Sequence, residues 1–409
     1  MTEPGELQYI TISTRSHLAH VATLAESLAR HEPGTRLTCY LVERAPAPED
    51  SFDGLFEILP VSELALPGGL RFLFQYTPFA LCCALKPWAI LDQMDRFGRA
   101  QVAYMDGDMY ACAAFRELLA GLEPDAAVLS TPHLLVPRAD MDFRYMSKAG
   151  AYNAGFILAR AREEARNLLT WWQDRLSRDC YMDHLGGVLV DQRWFELAMA
   201  FFPGTAALRH TGFNVGHWNL HEYTFRREGR RLMVGPDTPL CLFHFSGFKN
   251  PGLTRHRTVL GAVPAEIAEL ANEYEHRLRY WRQLQTEPPP YSFGMFEDGT
   301  EIPEPARELV RQGRVQTEDP FASKPEIFAA LEEVGVETVM EARQDIRVAR
   351  LEQACEELRK RVDHAEQRLW EAENLLRRLW RHPVLGRLWK LWRACVNAEL
   401  KIPWDETER

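Results

Sequence analysis

The sequence predicts an α/β fold built on a doubly wound sheet. Residues 8–13 and 37–42 have the β-branched and aromatic character of buried strands, and apolar residues recur at helical spacing between them. A strand, a helix and a strand in so short a stretch form a βαβ unit with two parallel strands. Apolar runs continue to alternate with helical patterns up to about residue 262, so we expect the same architecture throughout that part.

The remaining elements follow from the same periodicity. Further strands are predicted at 102–105, 126–131, 155–159 and 240–245. Further helices are predicted at 79–94, 161–177, 191–202 and 263–285. Residues 291–330 are polar with scattered glycines and prolines, and we expect an irregular connector there.

The segment 336–381 differs in kind from the rest of the chain. From Val348 to Leu379 the apolar positions recur at alternating spacings of three and four, and Arg and Glu fill the positions between them. This pattern predicts a self-associating coiled coil and therefore a homo-oligomer. The alternative is a single helix packed on the main domain, which usually shows a wider apolar stripe.

The last segment, 382–409, continues a basic stretch rich in tryptophan. Tryptophan and leucine beside arginine and lysine suit the headgroup layer of an anionic membrane, whereas the alternative is that the tryptophans pack on protein. We therefore expect an α/β domain at 1–262, a helical and irregular connector at 263–335, a coiled coil at 336–381 and the tail at 382–409.

Composition excludes several classes of protein. A net charge of −10 argues against nucleic-acid binding, which requires a basic surface. The eight cysteines include no Cys-x-x-Cys pair, and several lie in apolar runs, which is typical of reduced thiols in the cytosol. The sequence has neither a signal-peptide core nor an apolar run of membrane-spanning length. We expect a cytoplasmic protein, peripheral on the cytoplasmic face of the inner membrane if the tail binds lipid.

Two carboxylates end the predicted strand at 102–105. Asp106 and Asp108 are separated only by Gly107, so both lie at the rim of the sheet, where they could hold a hard divalent cation that leaves positions open for substrate phosphates. The structural alternative is a solvated turn. Gly107 would allow the backbone to approach a ligand closely.

Four other segments carry polar groups at the ends of predicted elements. Lys86 lies on the helix before the acidic strand, and its cation could meet phosphate or sugar. Asn153 precedes a strand and offers paired donor and acceptor groups that suit hydroxyl recognition. Asp191 and Gln192 stand at a helix start, where Asp191 could simply be an N-cap. His244 ends a strand and could complete a metal site. Gly247 and Lys249 follow it in the sequence.

In this order the motifs resemble the GT-A-fold glycosyltransferases, in particular their retaining, family-8-like branch. The matching text is Asp106-Gly-Asp108, Asn153-Ala-Gly155, Asp191-Gln192, and His244-Phe-Ser-Gly247 with Lys249. The resemblance covers residues 7 to about 255. Within the family, the sequence most resembles a bacterial group of glycosyltransferases that is associated with surface polysaccharides. One departure is that the usual ending of the family is replaced here by Phe248-Lys249-Asn250-Pro251.

The resemblance implies a mixed Rossmann-like sheet and a metal-dependent transferase that uses a nucleotide-sugar, UDP-linked by expectation. Mn²⁺ or Mg²⁺ would be held by Asp106, Asp108 and His244. The donor would contact Thr11, Ser13, Thr14, Lys86, Asp106, Gly247 and Lys249. The sugar would face Asn153, Asp191 and Gln192, the three candidate catalytic residues. With retention the leaving phosphate takes the proton of the acceptor, whereas an inverting enzyme needs a base, for which Asp191 is the candidate.

The sequence allows more than one role for three further polar residues, and more than one class of protein. Asn214, His217 and His221 are either acceptor-side groups or loop packing. The expected acceptor is a surface glycan or its lipid-linked precursor. A different class is a catalytically inactive adaptor that assembles partners at the membrane through its coiled coil. A nucleotidyltransferase is a third, but residues 12–16 lack the glycine-rich phosphate loop that it requires.

Overall fold

The computed structural model describes residues 7–137, 150–183, 187–247 and 263–334. The predicted coiled coil, the basic tail and Lys249 lie outside the described residues. The chain divides into the compact units Met1–Leu331 and Glu332–Arg409, and the elements that carry the candidate site belong to the first. Among the described residues no helix combines the length and the apolar character that crossing a membrane requires.

Fifteen strands lie in the described residues. They are β1 (Leu7–Ser13), β2 (Leu37–Leu41), β3 (Glu57–Pro60), β4 (Gln101–Met105), β5 (Met109–Ala111), β6 (Val128–Pro132), β7 (Tyr152–Arg160), β8 (Met182–Asp183), β9 (Val188–Leu189), β10 (Thr205–Ala207), β11 (Val215–Gly216), β12 (Phe225–Glu228), β13 (Arg231–Val234), β14 (Thr238–Pro239) and β15 (Leu242–His244).

Ten α-helices lie in the same residues. They are α1 (Leu18–His31), α2 (Leu70–Phe74), α3 (Pro78–Ala84), α4 (Lys86–Asp95), α5 (Arg116–Gly121), α6 (Glu163–Leu176), α7 (Gln192–Phe201), α8 (Ala265–Leu284), α9 (Glu304–Arg311) and α10 (Lys324–Glu333). Short 3₁₀ turns occupy Arg15–His17, Pro48–Ser51, Val61–Glu63 and Leu220–Glu222.

The main sheet has seven strands in the order β10-β6-β7-β4-β1-β2-β3. Strand β1 is parallel to β2 and β4, whereas β7 is antiparallel to β4 and β6. Every residue of β1 is buried, as expected for a central strand covered on both faces. The predicted α/β fold with a mixed sheet flanked by helices is therefore confirmed.

A second sheet of three strands, in the order β11-β15-β5, begins where β4 ends. Strand β15 is antiparallel to β5 and parallel to β11. Helix α1 packs on β5, and α8 packs on α1. The contact between the two helices includes Glu26, whose Oε2 accepts hydrogen bonds from Arg277 at 2.8 Å and from Trp281 at 2.9 Å.

Two predicted segments differ from the structure. The helix expected at 79–94 is two helices, α3 and α4, because Pro87 in the first turn of α4 lacks an N–H and favours a new helix start. The stretch expected to be irregular at 291–330 contains α9 and most of α10. Within it the buried Arg307 donates to the carbonyl oxygens of Phe74, Tyr76 and Phe293, so α9 is tied to the main domain.

Candidate metal and donor site

A tight turn at the carboxyl end of β4 presents the two aspartates. The amide of Met109 donates to the carbonyl of Asp106 at 3.1 Å and closes a four-residue turn. The amide of Asp106 donates to the carbonyl of Gly155 at 2.9 Å, which extends the pairing with β7. The side chains of Asp106 and Asp108 are 31% and 32% exposed, so the turn opens to solvent at the sheet edge.

The second sheet brings His244 to this turn. Met109 pairs with His244 across β5 and β15, and the amide of Phe245 donates to the carbonyl of Asp108 at 2.9 Å. The imidazole is buried, with Nε2 at 3.0 Å from Asp108 Oδ1 and 3.7 Å from Asp106 Oδ2. One ligand atom from each residue lies within 4.8 Å of the others. The structure thus brings together the three side chains that the sequence predicted as metal ligands.

The two oxygens of Asp106 have different surroundings. Tyr104 donates its hydroxyl to Oδ1 at 2.7 Å, while Oδ2 is the oxygen near His244. Tyr104 is buried, and burial together with Asp106 raises the pKa of its hydroxyl well above the ordinary value, so it stays a donor. Oδ2 is therefore the oxygen that faces the candidate metal position. The sequence reasoning missed Tyr104, because strand alternation alone does not say which buried tyrosine meets a carboxylate.

Gly155 makes room for this cluster. A Cβ atom on Gly155 would lie 2.6 Å from His244 Cε1 and 2.8 Å from Asp106 Oδ2, closer than any real contact. The Cβ position of Gly107 instead faces Val21 and Thr11 at ordinary contact distances of 3.5 and 3.7 Å. Close packing at Gly155 therefore leaves no room for a side chain beside Asp106 and His244, which fits a site that holds a bound ion.

Lys86 is the first residue of α4, and its ammonium turns inward under the site. It lies 2.8 Å from Asp191 Oδ2, 3.4 Å from Asp106 Oδ1 and 3.1 Å from the carbonyl of Ala154. Lys86 is 4% exposed and Asp191 is 2% exposed. Asp191 occupies the N-cap position of α7 as predicted, yet its side chain makes no capping hydrogen bond because it pairs with Lys86.

Gln192 follows Asp191 at the start of α7 and, like Lys86, binds the backbone of Ala154. Its Oε1 accepts a hydrogen bond from the amide of Ala154 at 3.2 Å. Both polar backbone groups of Ala154 are thus bound by side chains, the carbonyl by Lys86 and the amide by Gln192. The predicted pair is held against β7, beside the Asp106 turn.

Charge in the cluster favours a cation. Asp106 and Asp191 flank the ammonium of Lys86, and Asp108 lies beside Asp106 and His244. Three carboxylates and one ammonium leave two negative charges when the imidazole is neutral, which is the charge that a divalent cation neutralises. Burial opposes the charged form of His244, but Asp108 and Asp106 outweigh it and raise the pKa of the imidazole. Burial also disfavours the Asp108 carboxylate, yet His244 outweighs it and lowers that pKa.

Behind His244 lies a series of buried amide and imidazole side chains. His244 Nδ1 is 3.0 Å from Asn214 Oδ1, and Asn214 Nδ2 donates to Asn153 Oδ1 at 3.0 Å. Asn153 Nδ2 is in turn 3.3 Å from Nε2 of His133. Asn214 therefore lies behind His244, on the side away from the carboxylates, and His133 was not identified from the sequence.

The predicted nucleotide-binding residues lie at the carboxyl end of β1. Ile10 pairs with Tyr104 of β4, so the residues after Ile10 run beside the acidic turn. Thr11, Ser13 and Thr14 are all buried. The Thr11 hydroxyl finds no partner among the described residues, whereas Thr14 Oγ1 lies 3.0 Å from Ser16 Oγ. Gly247 follows β15 with φ of +68°, a conformation that favours glycine.

Comparison with known proteins gives the following similarities. No protein-family model matches the chain. Two Bacillus subtilis (strain 168) proteins described as uncharacterized, YfnF and YfnD, are 26% identical over 218 residues and 27% identical over 251 residues. These matches cover 52% and 59% of this chain, and 71% and 77% of the two relatives.

Solved structures with a similar fold include three glycosyltransferases. The galactosyltransferase LgtC, in complex with donor and acceptor sugar analogues, has a TM-score of 0.42 and 14% identity, over 69% of this chain and 98% of its own. GlyE of Streptococcus pneumoniae TIGR4 has a TM-score of 0.40 and 13% identity, over 72% and 67%. The bifunctional WbbM has a TM-score of 0.43 and 12% identity, over 70% and 53%. At these identities the likeness concerns the fold alone.

Proposed function

We propose that the chain is a metal-dependent glycosyltransferase of the hexosyltransferase type, which moves a sugar from a UDP-linked nucleotide-sugar to a bacterial surface glycan. The observation that carries the proposal is the convergence of Asp106, Asp108 and His244 at the rim of the sheet. An oxygen-rich donor set with one imidazole and an open side suits Mn²⁺ or Mg²⁺. The order of the motifs, which resembles family-8-like enzymes, supports the same function.

The three ligands would hold the ion through Asp106 Oδ2, an oxygen of Asp108 and His244 Nε2. A bound divalent ion supplies Lewis-acid stabilisation of the charge that develops on a leaving diphosphate. Tyr104 and Lys86 keep the other oxygen of Asp106 in place, so the ligand set is oriented before substrate arrives.

Asp191, Gln192 and Asn153 are the groups that we assign to the sugar side. Asp191 is 2% exposed and lies 2.8 Å from Lys86, so an acceptor hydroxyl has little access to its carboxylate, although burial raises the pKa of that carboxyl. This inaccessibility supports transfer with retention, in which the leaving phosphate takes the proton of that hydroxyl. Lys86 would then support the donor site through the two carboxylates that it holds.

The donor would lie along the carboxyl end of β1, where ligands of open α/β sheets bind. Thr11, Ser13 and Thr14 border the position for base and ribose, and we propose that Gly247 and Lys249 close the diphosphate side. The acceptor would be a glycan or its lipid-linked precursor. A homo-oligomer formed through 336–381, with 382–409 on the cytoplasmic face of the inner membrane, would hold the site near such an acceptor.

The test is UDP release from a panel of UDP-sugars, measured with Mn²⁺ and again after chelation. We expect one donor to be hydrolysed slowly or transferred, and chelation to abolish the release. Asp106→Asn and Asp108→Asn should lose metal-dependent donor binding while their thermal unfolding stays cooperative. Asp125→Asn, an exposed aspartate away from the site, is the matched control and should behave as the unaltered protein.

Two results would count against the proposal. If no nucleotide-sugar releases its nucleotide faster than the uncatalysed background, the chain is not a transferase of this kind. If Mn²⁺ binds but no donor turns over, the inactive adaptor becomes the better hypothesis.

A further inference from the structure

Four buried side chains form one hydrogen-bonded series that ends at the metal position. The series starts at the carbonyl of Gly150, 2.8 Å from His133 Nδ1, and passes through His133, Asn153 and Asn214 to His244. None of the four is more than 8% exposed. Polar groups this deeply buried are costly unless they are paired, so the direction of each hydrogen bond matters.

Two backbone groups, which cannot rotate, fix those directions from opposite ends. The backbone amide of Gly155 donates a hydrogen bond to Asn153 Oδ1 at 3.0 Å. If the side chain of Asn153 were flipped, its NH₂ group would face this N–H, and two donors would meet. The carbonyl of Gly150 requires a proton on His133 Nδ1, which leaves Nε2 as the acceptor for Asn153 Nδ2. Burial lowers the pKa of His133 to about 4, so the ring is neutral and the two ends agree.

The orientation of Asn153 then determines that of Asn214. Asn214 Nδ2 donates one hydrogen bond to Asn153 Oδ1 and a second to Thr131 Oγ1 at 2.5 Å. Asn214 Oδ1 is therefore the atom that faces His244 Nδ1 at 3.0 Å. An oxygen in that place accepts a hydrogen bond, which requires the proton of the neutral imidazole to be on Nδ1.

We propose that Asn214 is a positioning residue that fixes the tautomer of His244, so that Nε2 presents its lone pair to the metal beside Asp106 and Asp108. The inference rests on the proposed metal centre and adds to it the residues that orient one ligand. Partners of this kind on the far nitrogen of a metal-binding histidine set its tautomer and ring orientation.

The local backbone explains why an asparagine stands there. Asn214 has φ of +51°, a left-handed conformation that asparagine tolerates better than most residues. Its carbonyl is held by Asn219 Nδ2 at 3.5 Å, and Asn219 Oδ1 accepts from the amide of Gly216. The ring of Trp218 packs edge-on to His244 at 5.2 Å. The turn therefore holds Asn214 and the face of His244 together.

The direct test compares tautomers in the metal-bound protein. Long-range ¹H–¹⁵N correlation spectra of the full chain saturated with diamagnetic Mg²⁺ report which nitrogen of His244 carries the proton once the ion replaces the contact between Nε2 and Asp108. His244→Gln identifies the resonance. We expect the Nδ1–H tautomer alone, and a neutral ring protonated on Nε2 would overturn the proposal whether or not any variant folds.

Mn²⁺ titration then separates positioning from simple packing. Asn214→Gly suits the left-handed backbone but removes the acceptor, and we expect its Mn²⁺ dissociation constant to rise about 10- to 100-fold. Asn214→Asp keeps an oxygen for His244 but sets its second oxygen against Asn153 Oδ1, so it should lose stability while it keeps Mn²⁺ affinity. Thr131→Val, which leaves the pairing of Asn214 with Asn153 intact, should bind Mn²⁺ normally.

A role in packing alone predicts that Mn²⁺ affinity follows stability in both Asn214 variants, and that result would refute the inference. Equal Mn²⁺ affinity in Asn214→Gly and the unaltered protein would also refute the inference, but it would leave the proposed metal centre standing. Absence of Mn²⁺ binding in the unaltered protein would instead count against the proposed metal centre and, with it, against the positioning role of Asn214.

Discussion

The backbone of Gly155 passes so close to His244 that a methyl group on it would lie 2.6 Å from Cε1 of the imidazole. Strand β7 thereby allows the histidine of the second sheet to reach the carboxylates of β4. Any side chain at Gly155 must displace His244, Asp106 or Asn153.

Gly155→Ala should therefore weaken the metal site. The added methyl group requires shifts typical of overpacking, which cost about 1–3 kcal/mol, and the ligand atoms themselves must move. We expect Mn²⁺ affinity, measured by calorimetric titration, to fall at least about tenfold. Gly121→Ala is the matched control, because a Cβ atom there meets nothing within 4 Å. Unchanged Mn²⁺ affinity in Gly155→Ala would mean that the metal lies elsewhere.

Lys86→Met should destabilise the fold more than a surface change. Removal of one partner leaves Asp191 charged and buried, and such a loss typically lowers the free energy of unfolding by about 3–5 kcal/mol. The double variant Lys86→Met with Asp191→Leu removes both charges and should recover most of that loss. Urea denaturation measures both variants. Lys324→Met, which breaks a pair with the exposed Asp298, should lower the free energy of unfolding much less.

Mn²⁺ binding should weaken in acid because of His244. Asp108 and Asp106 outweigh burial and raise the pKa of the imidazole, while the pKa of Asp108 is lowered, so the histidine takes up its proton first as pH falls. A ligand must be unprotonated, so affinity should be level above the raised pKa and fall about tenfold per pH unit below it. His244→Gln should bind Mn²⁺ weakly and without this slope. A flat profile in the unaltered protein would exclude His244 as a ligand.

Deletion of 336–409 should lower the mass of the particle in solution. The heptad pattern predicts that this segment holds the chains together, so the truncated protein should approach the mass of one chain by light scattering. Deletion of 382–409 alone is the control and should leave the oligomer intact. The same mass for full-length and truncated protein would refute the coiled coil as the oligomerisation element.

Sequence reasoning located most of the main sheet, because its strands are buried along continuous apolar runs such as Gln101–Met105. It missed short strands such as Met109–Ala111 and Val215–Gly216, whose two or three residues are too few to show any period. It also missed α9 and α10, whose prolines and charged residues favoured an irregular segment. The structure places α9 and most of α10 in the compact unit Met1–Leu331.

The same contrast holds at the site. Asp106, Asp108 and His244 were predicted together, because each ends a strand and each is a natural ligand for a metal. Tyr104 and His133 were not predicted, since their contributions depend on which atom of a neighbour they face. Asn214 was considered either an acceptor-side group or loop packing, because a polar residue in a loop gives no sign of the side chains that it meets in the fold.

Strands β5 and β15 also have a consequence for the order of folding, because they pair with one another although most of the domain separates them in the chain. Long-range pairings of this kind carry a high cost of loop closure, so we expect them to form after the more local structure. The candidate ligands Asp106, Asp108 and His244 should therefore come together late in folding. Mn²⁺ added during refolding should leave the folding rate unchanged and slow unfolding, because the ion would stabilise the native state but not the transition state for folding.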